Sequence, residues 1–169
     1  NHRYKKTFRL PEPYILKEVA KILDLQDPHA KMSKSSSAAG GIIQMLDDPR
    51  ASAKKIRSAV TDSGTEVRFD AEEKPGVSNL LTIYAALTGR SVEDLEKEYA
   101  GRGYGDFKRE LADVVVEFVT PFRSRTLELL EDRGELDGVL RRGAARAAEV
   151  AERTLADVYD RVGFVPAGG

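Results

Sequence analysis

From Val77 onward, apolar residues recur every three or four positions almost without interruption, and that spacing confines most of the chain to amphipathic helices. Val77, Leu80, Leu81, Tyr84 and Leu87 share one helical face, and Thr88-Gly89 supplies a glycine stop. Ser91, three residues before Asp94, predicts a capped short helix reaching about Tyr99. After a break at Gly101, Gly103 and Gly105, a long helix is expected from near Asp106. Phe107, Leu111, Val114, Val115, Phe118 and Phe122 form its wide apolar stripe. Pro121 should kink it, because the ring removes the bond to Glu117. Past Gly134, Leu136, Val139 and Leu140 predict one or two further turns. Ala144, Ala148, Ala151, Leu155, Val158 and Val162 then line a closing helix stopped by Gly163. The expectation is a bundle of four or five antiparallel helices with the named aromatics in its core.

The front of the chain is different in pattern and in charge. Residues 1–60 hold twelve Lys or Arg against six Asp or Glu, although the whole sequence has a net charge of -1. The basic character is therefore at the N-terminal end, which suits a phosphate-bearing ligand there. Residues 7–10 read as extended before Pro11 and Pro13, and residues 19–25 as a buried strand or short helix closed by Asp27-Pro28. Residues 30–41 lack periodicity and read as a loop, and residues 42–46 as a second strand. Asp48-Pro49 offers an N-cap followed by Pro at the first helical position, predicting a helix to about Val60.

Several chemistries drop out. The absence of Cys removes disulfides, thiolate nucleophiles and Cys-ligated zinc, while His2 and His29 are too far apart in unlike contexts for a metal site or a Ser-His-Asp relay. No protein metal ligand is assigned. No apolar run approaches a membrane span and no leader pattern opens the chain, so an intracellular, membrane-free protein is expected.

One passage carries chemistry: Lys31-Met32-Ser33-Lys34-Ser35. A chance match to this pentapeptide in a chain of this size is an event of about one in ten thousand from average composition, so it is signal. Two ammonium groups two residues apart can reach different oxygens of a triphosphate, with the Ser33 and Ser35 hydroxyls and loop amides as further donors. Met32 can plug an apolar pocket and hold one closed state. Charge grows on the bridging oxygen as an α-phosphate is attacked, so lysines that tighten on the leaving pyrophosphate lower the barrier selectively.

The pentapeptide is the second signature of class I aminoacyl-tRNA synthetases, and its surroundings resemble the bacterial tryptophanyl-tRNA synthetase family. The resemblance runs in order through Pro11-Glu12-Pro13-Tyr14-Ile15, Leu25-Gln26-Asp27-Pro28, Leu46-Asp47-Asp48-Pro49, Lys54-Lys55-Ile56, Ala59-Val60-Thr61-Asp62-Ser63, Gly76-Val77-Ser78-Asn79-Leu80-Leu81, and residues 159–164. Tyrosyl-tRNA synthetase shares the loop chemistry but lacks the passages beginning at Ala59 and Gly76.

That resemblance implies a tryptophan-tRNA ligase: L-tryptophan and ATP give the adenylate and pyrophosphate, and the acyl group passes to the tryptophan tRNA. It implies Mg2+ held through the ATP phosphates rather than by residues of this chain, and a cytoplasmic homodimer. Lys31 and Lys34 become the catalytic candidates, Lys34 leading. Ile22, Lys31, Met32, Ser33, Lys34 and Ser35 become the ATP-binding candidates, Ile22 by matching the family's adenine-facing backbone position. Gln26 and Asp27 match too and are read as shaping the loop.

The family's HIGH-like first signature is missing, and two strands cannot close a doubly wound sheet. The expected fold is therefore mainly α: a C-terminal helical bundle preceded by the terminal strands and KMSKS loop of an incomplete α/β nucleotide-binding fold. Residues 1–47 would end the catalytic domain, 48–60 connect, and 61–169 bind the anticodon. Alone, such a piece is expected to be inactive. Where the family often has an acidic residue after the signature, Ser36 and Ser37 follow, and a more mobile loop is expected. Arg102 with Tyr104, or Arg141, Arg142 and Arg146, are candidates for splayed anticodon bases. The alternatives are a tyrosyl-tRNA synthetase fragment or a non-catalytic helical binding module descended from a synthetase.

Overall fold

A computed structural model describes residues 1–15 and 21–165. It contains five helices: α1 (Pro49–Arg57), α2 (Pro75–Thr88), α3 (Val92–Glu98), α4 (Tyr104–Glu131) and α5 (Arg133–Val162). The mainly helical expectation holds, and most helix ends follow from local chemistry. The Asp48 side chain accepts from the amides of Arg50 and Ala51, with Pro49 at the first helical position. Ser91 accepts from the Asp94 amide at the start of α3. Gly89 and Gly163 close α2 and α5 in the left-handed conformation, at φ 70° and 81°, where a side chain would be strained.

Four local expectations need correction. Helix α1 ends at Arg57 rather than near Val60, because Val60 turns away and donates its amide to the Leu25 carbonyl at 2.7 Å. Helix α4 begins at Tyr104, ahead of Asp106, and extends to Glu131. The two segments expected after Gly134 are one helix of 30 residues, Gly134, Gly138 and Gly143 all lying inside it. Residues 42–46 form no strand. Side chains take the carbonyls a sheet neighbour would use: Lys55 Nζ donates to Ile42 O at 2.8 Å and Arg123 Nε to Leu46 O at 3.2 Å. Among the described residues there is no β-strand at all, only one isolated antiparallel bridge, Leu23 with Lys31. Residues 16–20 lie outside the described residues, and with them positions 19 and 20 of the segment expected as a strand or short helix.

The chain divides into two compact units, and the division falls within α4. Residues 15–127 make the larger one, with a core of Ile56, Leu80, Leu81, Leu95, Phe107 and Leu111, each at most 1% exposed. Tyr99 is also fully buried and packs edge-on to Phe107, centroids 5.0 Å apart, with Tyr84 6.1 Å from both. The three aromatics expected inside at these positions are inside. Phe118 and Phe122, assigned to the same core, are each 50% exposed.

The smaller unit comprises residues 1–14 and 128–169. Among the described residues α5 has no buried side chain, although its apolar stripe is the predicted one. Phe8 and the α5 residues Ala147, Val150, Ala151 and Leu155 border an open apolar depression, and the Arg161 guanidinium donates to the Lys6 carbonyl.

Candidate functional site

The Lys31-Met32-Ser33-Lys34-Ser35 segment grows out of a small hairpin. Met32 N donates to Ile22 O and Asp24 N to Ala30 O, both at 3.0 Å, flanking the Leu23–Lys31 bridge. The turn between the arms is set by Asp27, whose carboxylate accepts from His29 N at 3.2 Å and whose carbonyl accepts from Ala30 N at 3.0 Å. That matches the loop-shaping part expected of Asp27. Gln26 reaches elsewhere, its Nε2 donating to Ser58 O at 3.1 Å.

Beyond Met32 the chain makes a closed serine turn. Ser37 N donates to Ser33 O at 3.0 Å, and Ser33 N donates back to Ser37 Oγ at 2.9 Å. The Ser37 hydroxyl also bonds Asp24, a carboxylate only 5% exposed. Burial pushes the Asp24 pKa up, but the Ser37 hydroxyl and the Gln26 and Asp27 amides outweigh it and hold the carboxyl below its usual value. Gly41 lies directly against this carboxylate: a Cβ there would fall 2.0 Å from Asp24 Oδ1, so only glycine fits. Leu25 N donates to Gly41 O at 2.9 Å and returns the loop to the hairpin.

Of the six sequence-assigned residues, Lys31, Lys34 and Ser35 are exposed, while Ile22, Met32 and Ser33 are half-buried. Among the described residues, neither lysine side chain has an ion pair or hydrogen bond. Met32 packs against the core, and with Ile22, Ile43, Ile83 and Leu87 it borders an apolar cleft of about 200 Å3.

The inner arm is tied to α2 by a residue the sequence reading passed over. Leu23 N donates to Asn79 Oδ1 at 2.8 Å, and Asn79 Nδ2 donates to Leu23 O at 2.9 Å. Asn79 is 5% exposed. The available signal was an amide inside an otherwise apolar helical run, a residue that burial tolerates only with partners. Asp24, Ser37 and Gly41 were missed as well, and nothing in their spacing advertises them.

A second polar cluster braces the same unit. Asp62 accepts from Tyr104 Oη at 2.8 Å and from Lys74 Nζ at 3.2 Å, and Lys74 also donates to Tyr104 Oη at 2.9 Å. Burial raises the Asp62 pKa, yet Tyr104, the Gly64 amide and Lys74 together hold it low. Tyr104 is thus engaged. Arg102 is engaged too: its guanidinium stands 4.8 Å over the Tyr99 ring and pairs with Glu110. Arg141, Arg142 and Arg146 are exposed on α5.

Two exposed lysines on a loop rooted in a helical unit are what the structure presents, and the comparison of sequences supplies the class of protein. The profile of class I tRNA synthetases (W and Y) matches residues 1–120, and the chain belongs to that family. Its relatives carry one amino acid in their names. It is 58% identical over 167 residues to tryptophan–tRNA ligase 2 of Streptomyces avermitilis and 54% identical over 169 residues to tryptophan–tRNA ligase of Mycobacterium leprae. Those matches take in 99% and 100% of this chain but 50% and 49% of the relatives, so the chain spans about half their length. Among solved structures, tryptophanyl-tRNA synthetase from Mycoplasma pneumoniae superposes with a TM-score of 0.86 at 33% identity, over 97% of this chain and 49% of that one. The Campylobacter jejuni enzyme complexed with ADP and tryptophan gives 0.64 at 30% identity, over 97% and 50%. The tyrosyl alternative is not favoured by these relatives. No described helix is long and apolar enough to cross a membrane.

Proposed function

We propose that this chain is the C-terminal portion of a tryptophan-tRNA ligase, supplying the KMSKS loop and the anticodon-binding helices to an enzyme that activates L-tryptophan with ATP and loads it onto the tryptophan tRNA. The observation that carries this is the pair of lysines, Lys31 and Lys34, exposed beyond a hairpin whose arms are held by Ile22, Asp24, Ala30 and Met32 and by the Ser33–Ser37 turn. A solved relative bound to ADP and tryptophan supports the ligand assignment.

In this reading Lys34, with Lys31, takes the triphosphate oxygens and gains most as charge moves onto the departing pyrophosphate. The amides and hydroxyls of Ser33 and Ser35 add donors, Ile22 borders the adenine through its backbone, and Met32 keeps the loop seated in its apolar cleft. Mg2+ is assigned to the ATP phosphates. By function the chain divides into residues 1–47 with the catalytic loop, a connecting 48–60, and 61–169 for the anticodon, with Arg141, Arg142 and Arg146 the cations that remain exposed for RNA. The working protein is read as a cytoplasmic homodimer.

The test is tryptophan-dependent ATP–pyrophosphate exchange by the full-length protein. Lys34→Ala should lower kcat/KM for ATP by about a hundredfold, the range set by losing one charged donor to a developing anion. Equal rates in the two proteins end the assignment. Absence of exchange in the unaltered protein ends the ligase reading and leaves the non-catalytic module.

A further inference from the structure

The hairpin that carries Lys31 has only two arms, and a two-stranded ribbon has little independent stability in water. Leu23 and Lys31 sit opposite each other as a pair that exchanges no hydrogen bond, the bonds being made by their neighbours Ile22–Met32 and Asp24–Ala30. In such a pair the N–H and C=O of each residue point away from the partner arm. For Leu23 that is the side a further strand would cover, and both groups are taken instead by the Asn79 carboxamide. One amide side chain thus stands in for a strand, presenting an acceptor and a donor at once.

We propose that Asn79 is a positioning residue for the nucleotide reaction: by clamping Leu23 it sets the register of the hairpin and hence where Lys31 and Lys34 present their ammonium groups. Asn is the residue type that fits. Aspartate would offer an oxygen to the Leu23 carbonyl, and alanine would leave two backbone groups without partners. The clamp is itself rigid, because α2 buries Val77, Leu80 and Leu81 in the core and so fixes the Asn79 backbone. Met32 seats the opposite arm in the cleft beside Ile83 of the same helix, so both arms are referred to α2. The Leu23 contact spans 56 residues of sequence and makes no use of the lysines themselves, so it acts through the loop and not on the substrate.

This inference rests on the ligase reading, and the experiment separates the two. In the full-length protein, exchange kinetics are measured with ATP and tryptophan varied separately, alongside tryptophan binding without ATP and the melting temperature. Asn79→Ala should lose about tenfold in kcat/KM for ATP, the size of losing one to two backbone bonds, while tryptophan binding holds. Asn79→Gln, which keeps both the donor and the acceptor on a longer arm, should fall between it and the unaltered protein and serves where Asn79→Ala fails to fold. Ser78→Ala is the neighbouring control: it removes the acceptor for Asp70 N, a bond away from the hairpin, and should cost stability without an ATP-specific loss. The proposal is overturned if the Asn79 variants stay within about twofold of the unaltered protein, or if ATP and tryptophan parameters fall together as a general loss of folding would make them. A silent unaltered protein would instead overturn the ligase reading.

Discussion

Helices α2 and α5 show the same sequence pattern and meet opposite fates. In α2 seven residues are buried, including Val77, Leu80, Leu81 and the polar Ser78 and Asn79. In α5, twice as long and equally regular in its apolar spacing, none is buried among the described residues, and Val150 and Leu155 are 66% and 47% exposed. The difference teaches what periodicity encodes. It says which face of a helix is able to be covered, and other parts of the molecule decide whether that face is covered. Helix α2 meets α3 and shares a core with Phe107 and Leu111 of α4, so its stripe becomes interior.

The sharpest way to break this comparison is to delete a large side chain on the buried side. Phe107 is fully buried and touches both Tyr84 and Tyr99. Phe107→Ala should destabilise the 169-residue chain by about 3–5 kcal/mol, from lost transfer energy plus the cavity left between two rigid rings. Urea denaturation followed by near-ultraviolet circular dichroism reads it. A loss below about 1 kcal/mol would mean the aromatic cluster is not packed as described.

What was legible in the sequence was local. Asp48-Pro49, Ser91 with Asp94, Gly89 and Gly163 each act on amides or carbonyls within a few residues of themselves, the first two starting a helix and the glycines ending one where expected. The KMSKS pentapeptide was legible for the same reason. Residues 42–46 misled because a short apolar run forms a strand only if a neighbour lies alongside, whereas Lys55 and Arg123 arrive from elsewhere in the chain to take its carbonyls. The long-range holds on the hairpin were illegible too. Leu23 to Asn79 spans 56 residues, and the pressure a side chain at Gly41 would put on Asp24 comes from a tertiary contact that no pattern records.

That pressure gives the next largest effect and sharpens the contrast between a covered site and an open one. Gly41→Ala forces its Cβ into the Asp24 carboxylate, which must then give up Ser37 or the amides of Gln26 and Asp27. The expected cost is about 2 kcal/mol, the scale of overpacking a tight site with loss of a buried hydrogen bond. It should be read both in the denaturation midpoint and in faster proteolysis within residues 31–41. Double substitution Gly41→Ala with Asp24→Ser, which removes the clashing group, should recover part of the loss. If the double variant is no better than the single one, Asp24 is not what excludes the side chain.

The smallest effect belongs to α5 and decides whether its open face is real in solution. Leu155 is 47% exposed beside an apolar depression, so truncating it removes little buried surface, and alanine is at least as good a helix former. Leu155→Ala should therefore change the stability of the 169-residue chain by no more than about 0.5 kcal/mol, as surface substitutions do. Sedimentation velocity on the same sample removes self-association as a cover for the face. A loss near 2 kcal/mol or more from a monomer would mean that the α5 stripe is packed after all, and the contrast with α2 would collapse into two helices of one kind.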